Sequence, residues 1–162
     1  MPITISRESL LTDIRSILSK GGNADPAMDQ VLGKLLDVFQ CQVGTIHTLD
    51  GSTGMLKIRA RRGIPDSILD KVRMIPIGKG MAGIAAERKQ PVQVCNLQTD
   101  DSGVAKPGAR DTKMEGSISV PMLLQGKLYG TIGVAKIIPY EFSDEESAAL
   151  MDAAALVASF VK

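Results

Sequence analysis

The sequence is poor in aromatic residues: they make up 3% of its 162 positions, with three Phe, two Tyr and no Trp. Proteins that bind single strands by stacking bases on rings need more than this. Charge offers no substitute, because 19 basic against 18 acidic residues leave a net charge of +1. A chain so balanced has no overall field to draw it to nucleic acid or an anionic membrane. No stretch approaches the roughly 20 consecutive apolar residues of a membrane span. The opening Met1-Pro2-Ile3-Thr4 lacks the basic segment and apolar run of a secretion signal. A cytoplasmic protein that binds neither nucleic acid nor membrane is the expectation.

Cysteine and histidine are equally scarce. Cys41 and Cys95 stand far apart, and neither belongs to a CxxC pair, so a disulfide framework and a zinc motif are set aside. Both read first as small buried hydrophobes, with a secondary claim for Cys95 as a sensor thiol. The single histidine, His47, leaves no triad for hydrolysis and is a poor basis for metal or haem binding. No catalytic residue, metal ligand or cofactor is assigned.

What is present is the material for one domain: 44% hydrophobic and 23% charged residues fit a single core. Leu10, Leu11, Ile14, Ile17 and Leu18 recur at helical spacing after Ser6, a suitable N-cap, and before Gly21-Gly22, which predicts an amphipathic first helix. A turn at residues 23–26 leads to a second stripe of Met28, Val31, Leu32, Leu35, Leu36 and Phe39, with Pro26 suited to its first turn. Strand-like runs Val43 to Leu49 and Met55 to Ala60 flank a turn-rich connection. A short helix (Ser67 to Val72), a strand (Met74 to Ile77), a helix (Met81 to Arg88) and a strand (Pro91 to Asn96) follow. Gln98 to Lys113 has almost no apolar periodicity and reads as a long loop, a candidate lid. Strands Ser117 to Leu124 and Lys127 to Ile138 then precede a helix capped by Ser143. The order implies an α+β fold, an antiparallel sheet with the terminal helices on one face.

Gly78-Lys79-Gly80-Met81-Ala82-Gly83 matches the G-x-G-x-x-G of dinucleotide sites. The surroundings do not: no clean βαβ unit or doubly wound series contains it. The glycines serve better to permit unusual backbone angles and close helix packing. The amides opening that helix would still favour an anionic or carbonyl group on a ligand.

Met74-Ile75-Pro76-Ile77-Gly78-Lys79-Gly80-Met81-Ala82-Gly83 resembles the I-P-x-G-x-G-x-x-G segment of GAF domains, and Gly44-Thr45-Ile46-His47-Thr48-Leu49-Asp50 resembles their first strand. Ser117 to Met122, Gly126 to Val134 and Phe142-Ser143-Asp144-Glu145-Glu146 agree in order and spacing. The resemblance covers roughly residues 26 to 161 and implies a GAF/PAS-like central antiparallel sheet, N- and C-terminal helices on one face, and a ligand pocket under loops on the other. Residues 23–162 then form the GAF domain, and residues 1–22 a helical extension suited to dimerisation.

One branch of the family, the free methionine-R-sulfoxide reductases, works through cysteines. The resemblance places those positions on Val72, on Ala82 and near Arg110, none of which is a thiol, so a reductase is not expected. The cyclic-nucleotide marker of that family is also incomplete: Ala135 stands for its Asn before Lys136, and Asp144-Glu145 follow Phe142 closely. Asp144, Glu145 and Glu146 read equally well as favourable charge at a helix N-terminus.

In the first strand Val43, Thr45, His47 and Leu49 share one face and Gly44, Ile46 and Thr48 the other. By resemblance to GAF first strands, Thr45 and His47 face the pocket. Gly80, Met81, Ala82, Cys95, Ser117, Ser119 and Thr131 complete the expected ligand-binding set, a mixture suited to a small polar organic molecule. Arg59, Arg61 and Arg62 read as a solvated strand face that could meet an acidic partner. The expected function is small-molecule sensing in signalling, with an unidentified ligand, and with a separate signalling protein or a change in the chain's own assembly state carrying the response. A homodimer is expected from the extra first helix and from Ala148, Ala149, Ala153, Ala154, Ala155 and Ala158 in the last one. The alternative is a ligand-free interaction domain.

Overall fold

The computed structural model describes residues 6–20, 22–104 and 112–162. Helix α1 (Arg7–Ser19) begins as expected at Ser6, whose hydroxyl accepts from the Ser9 amide. Helix α2 (Ala24–Phe39) starts inside the predicted turn. Pro26 is tolerated there because the first-turn amides have no intrahelical acceptor. Strands β1 (Val43–Leu49) and β2 (Leu56–Arg62) follow, then α3 (Asp66–Val72), β3 (Met74–Ile75), α4 (Gly80–Arg88), β4 (Val92–Val94), β5 (Ser117–Leu124), β6 (Lys127–Ala135) and α5 (Asp144–Val161).

The six strands form one antiparallel sheet in the order β3-β2-β1-β6-β5-β4. The three long apolar helices cover one face. Ile46, Ile118, Val120, Met122, Ile132 and Val134 project from the sheet into a core shared with Leu32, Leu35 and Phe39 of α2 and Leu150, Ala154 and Val157 of α5. Each fully buried aliphatic side chain there contributes roughly 1.5 to 3 kcal/mol.

Helix α1 completes this layer. Leu10 and Ile14 are buried with α2 and α5, and Leu11, Ile17 and Leu18 rest against the same core. Lys34 reaches Asp13 at 2.9 Å, and Arg7 pairs with Asp152. The apolar stripe of α1 is thus covered within the chain, and Ala149, Ala153, Ala154 and Ala158 of α5 are buried in the same core. Neither feature needs a second copy to explain it.

Three elements are shorter than the sequence predicts. β3 stops at Ile75, because Pro76 has no amide with which to continue a ladder. β4 keeps only Val92–Val94 of the expected run. β6 ends at Ala135, and Ile137 and Ile138 beyond it are 58% and 55% exposed. Residues 105–111 of the predicted lid lie outside the described residues.

Candidate functional site

The sheet's second face is set by the first. Gly44 lies so close to α2 that a β-carbon there would come within 2.9 Å of Leu32 and Leu36 methyls, so β1 turns Val43, Thr45 and His47 the opposite way. Register then aligns them with residues of like parity on the neighbouring strands. Thr45 faces Gly133, which faces Ser119; His47 faces Thr131; Val43 faces Ala135, which faces Ser117. Helix α3 and the start of α4 overhang this floor. Between them is a cavity of about 530 Å³, within the range of small-ligand sites.

The cavity brings together Thr45, His47, Gly80, Met81, Ala82, Ser117 and Ser119 of the nine residues read from the sequence. Two fall elsewhere. Cys95 is exposed, contrary to its reading as a buried hydrophobe, and it does not line the cavity as the ligand-binding set expects. Val94 takes the inward position at the end of β4, and strand alternation turns the next residue out. Thr131 is 1% exposed and does not reach the cavity wall, although it stands opposite His47 in the ladder. The expected Arg110 position lies outside the described residues.

Sequence reasoning missed the wall contributed by α3 and the segment before it, Ile64, Ile68, Lys71 and Val72, and also Lys79. It missed Gly133 as well. A β-carbon at Gly133 would stand 3.5 Å from Thr45 Oγ1 and 3.9 Å from Ser119 Oγ, so the missing side chain opens the floor between two hydroxyls. A small residue between Thr131 and Ala135 on the pocket parity of β6 was the available signal.

His47 is 1% exposed, and its Nε2 lies 2.7 Å from the Val72 carbonyl oxygen. A carbonyl only accepts, so Nε2 carries the proton and Nδ1 presents a lone pair. Burial pushes the His47 pKa below its ordinary 6.5, and the bond to Val72 opposes that only in part. The ring is therefore neutral at pH 7. His47 Nδ1, Ser119 Oγ and Thr131 Oγ1 are buried without a hydrogen-bond partner among the described residues. Such groups each carry a penalty of about 1 to 3 kcal/mol, and these three cluster on adjacent strands.

This neutrality has a testable sign. Below about pH 6.5 the unfolded chain protonates His47 while the folded chain resists, so stability falls as pH drops through that window and levels off once the folded ring also titrates. Urea midpoints taken from about pH 7.5 to about pH 5.5, above the usual carboxylate range, should fall more for wild type than for His47→Gln. Parallel slopes would refute the buried neutral imidazole.

The glycine motif has a structural task. The Gly78 amide donates to the Gly83 carbonyl at 2.8 Å, and a β-carbon on Gly83 would sit 2.4 Å from the Pro76 carbonyl oxygen. Only glycine allows that approach. β3 is a two-residue antiparallel edge strand rather than the parallel strand a dinucleotide site needs. Lys136, from the incomplete cyclic-nucleotide marker, is also structural: it is 3% exposed and donates to the Phe39 and Gln40 carbonyls that end α2. Glu146 forms a capping box with Ser143 and accepts from the Tyr140 hydroxyl. The three arginines pair inside the chain, Arg59 with Asp25 at 2.8 Å, Arg61 with Asp66 at 3.1 Å and Arg62 with Asp29 at 3.0 Å. Neither thiol adjoins the cavity. Cys41 is buried on the helix-covered face, where desolvation pushes its pKa up to about 12.

The family model for the GAF domain matches residues 23–162. A search of curated proteins found no match. Among solved structures, the chain is similar to the GAF domain of a phosphoenolpyruvate-protein phosphotransferase from Coxiella burnetii, with TM-score 0.79 and 19% identity over 96% of this chain and 94% of that one. The corresponding Acinetobacter domain gives TM-score 0.81 and 17% identity over 98% and 94%. The free methionine-R-sulfoxide reductase from Neisseria meningitidis, solved with its substrate, gives 0.80 and 16% over 98% and 94%. Identities this low speak for the shared fold and leave the specific activity open. By its matched sequence model and its six-stranded sheet, the chain belongs to the GAF domain family.

Proposed function

We propose that this GAF domain is a small-molecule sensor that binds its ligand on the sheet face carrying Thr45, His47 and Ser119. The observation that carries this reading is the coincidence of an apolar-walled cavity with buried polar atoms that have no hydrogen-bond partner among the described residues, on two residues of its lining, His47 (Nδ1) and Ser119 (Oγ). A ligand supplying those hydrogen bonds would relieve their desolvation penalty and stabilise the fold. Exposure to a metabolite library, followed by native mass spectrometry and thermal shift, tests this. A bound small molecule with a raised melting temperature is expected; no binder in a broad library would overturn the reading and favour a ligand-free interaction domain.

Binding without turnover fits the cavity better than reduction of a sulfoxide. Thiol chemistry needs an accessible thiolate, and Val72 and Ala82 occupy two of the positions where the reductases' cysteines would fall, both lining the cavity. With free methionine-R-sulfoxide and a thioredoxin system, turnover should stay at background. Robust activity lost in Cys95→Ser would contradict this.

A further inference from the structure

The cavity's chemistry is asymmetric. Its described lining contains no carboxylate, whereas Lys71, Lys79 and the opening turn of α4, Gly80 to Ala82, all border it. The N-cap of α4, Lys79, makes no side-chain capping bond to the first turn. Amides at a helix start carry partial positive charge and favour an anion. On the floor, His47 Nδ1 is a buried acceptor without a donor, and Ser119 Oγ is a second unpartnered group on a residue 3% exposed. Ile64, Ile68 and Ile75 supply apolar wall.

We propose that the ligand is a small α-hydroxy acid with an aliphatic tail, its carboxylate at the start of α4 beside Lys79 and its hydroxyl donating to His47 Nδ1. This rests on the sensor reading above and narrows it. An α-keto acid lacks the donor, so it would bury the His47 lone pair unsatisfied. An amino acid brings a donor but also an ammonium, whose charge would be buried with no carboxylate among the described lining residues. A neutral alcohol forgoes the helix start and Lys79.

The test is calorimetric titration of the whole chain with glycolate, lactate and α-hydroxyisocaproate, beside α-ketoisocaproate and leucine. At least one hydroxy acid should bind, with the keto and amino analogues of α-hydroxyisocaproate weaker by about tenfold or more, the size of one lost hydrogen bond. His47→Ala should bring the hydroxy-to-keto ratio toward unity. Should that variant fold poorly, Lys79→Gln, altering an exposed side chain, should weaken the hydroxy acid by roughly threefold to tenfold and flatten its salt dependence. The inference is overturned if no hydroxy acid binds, if leucine or the keto acid binds equally well, or if Lys79→Gln changes nothing. A library binder of another class would then leave the sensor reading standing, whereas an empty library would remove both.

Discussion

Replacing Lys136 by methionine should destabilise the fold by about 2 to 3 kcal/mol, although the two side chains have similar bulk. The ammonium donates to Phe39 O at 2.5 Å and Gln40 O at 3.3 Å and lies 4.4 Å from the centre of the Tyr140 ring. Hydrogen bonds to a charged group contribute about 1.5 to 3 kcal/mol, and carbonyls left unsatisfied add to the loss. The cation also opposes the negative end of α2, a further fraction of a kcal/mol. Replacing a buried ion pair by hydrophobes is often neutral, but here the acceptors are backbone oxygens that remain in place. Urea denaturation of Lys136→Met against Lys136→Arg measures the difference. An unchanged midpoint would mean that water satisfies the end of α2.

The second large effect separates binding from folding. Gly133→Val should leave the domain folded, because its β-carbon meets its neighbours at 3.5 Å or more and a β-branched residue suits a strand. The added methyls occupy the floor between Thr45 and Ser119. A ligand at 100 times its dissociation constant stabilises wild type by about 2.7 kcal/mol, and Gly133→Val should lose nearly all of it. Gly133→Ala should lose part. Arg62→Ala, outside the cavity and paired with Asp29, should keep the full shift. Equal shifts in Gly133→Val and wild type would put the ligand elsewhere.

Local patterns made much of this fold legible. Apolar spacing in α1, α2 and α5 needs only the helical period, and Ser143 three residues before Glu146 announces its capping box. Strand parity separated Thr45 and His47 from Ile46, although only the family resemblance indicated which side held the pocket. What stayed hidden depends on contacts distant in sequence. Nothing near Lys136 shows that it caps a helix ending at Phe39, and β6 looked three residues too long. Cys95 misled because free cysteines are usually buried, while exposure is decided by which residue ends the edge strand β4. Of the six alanines of α5 read as allowing close helix approach, Ala149, Ala153, Ala154 and Ala158 lie in the chain's own core. The arginines of β2 could not show in sequence that their carboxylates lie within the chain.

Nitrogen NMR of the His47 ring is the most direct test of the central claim, since one residue reports both the cavity and its occupant. In free protein the spectrum should show a neutral ring protonated at Nε2, with Nδ1 carrying a lone pair. Adding any small molecule that raises the melting temperature should shift Nδ1 as it accepts a hydrogen bond, while Nε2 stays bonded to Val72. A stabilising ligand that leaves Nδ1 unmoved, or a free ring protonated at Nδ1, would contradict the account.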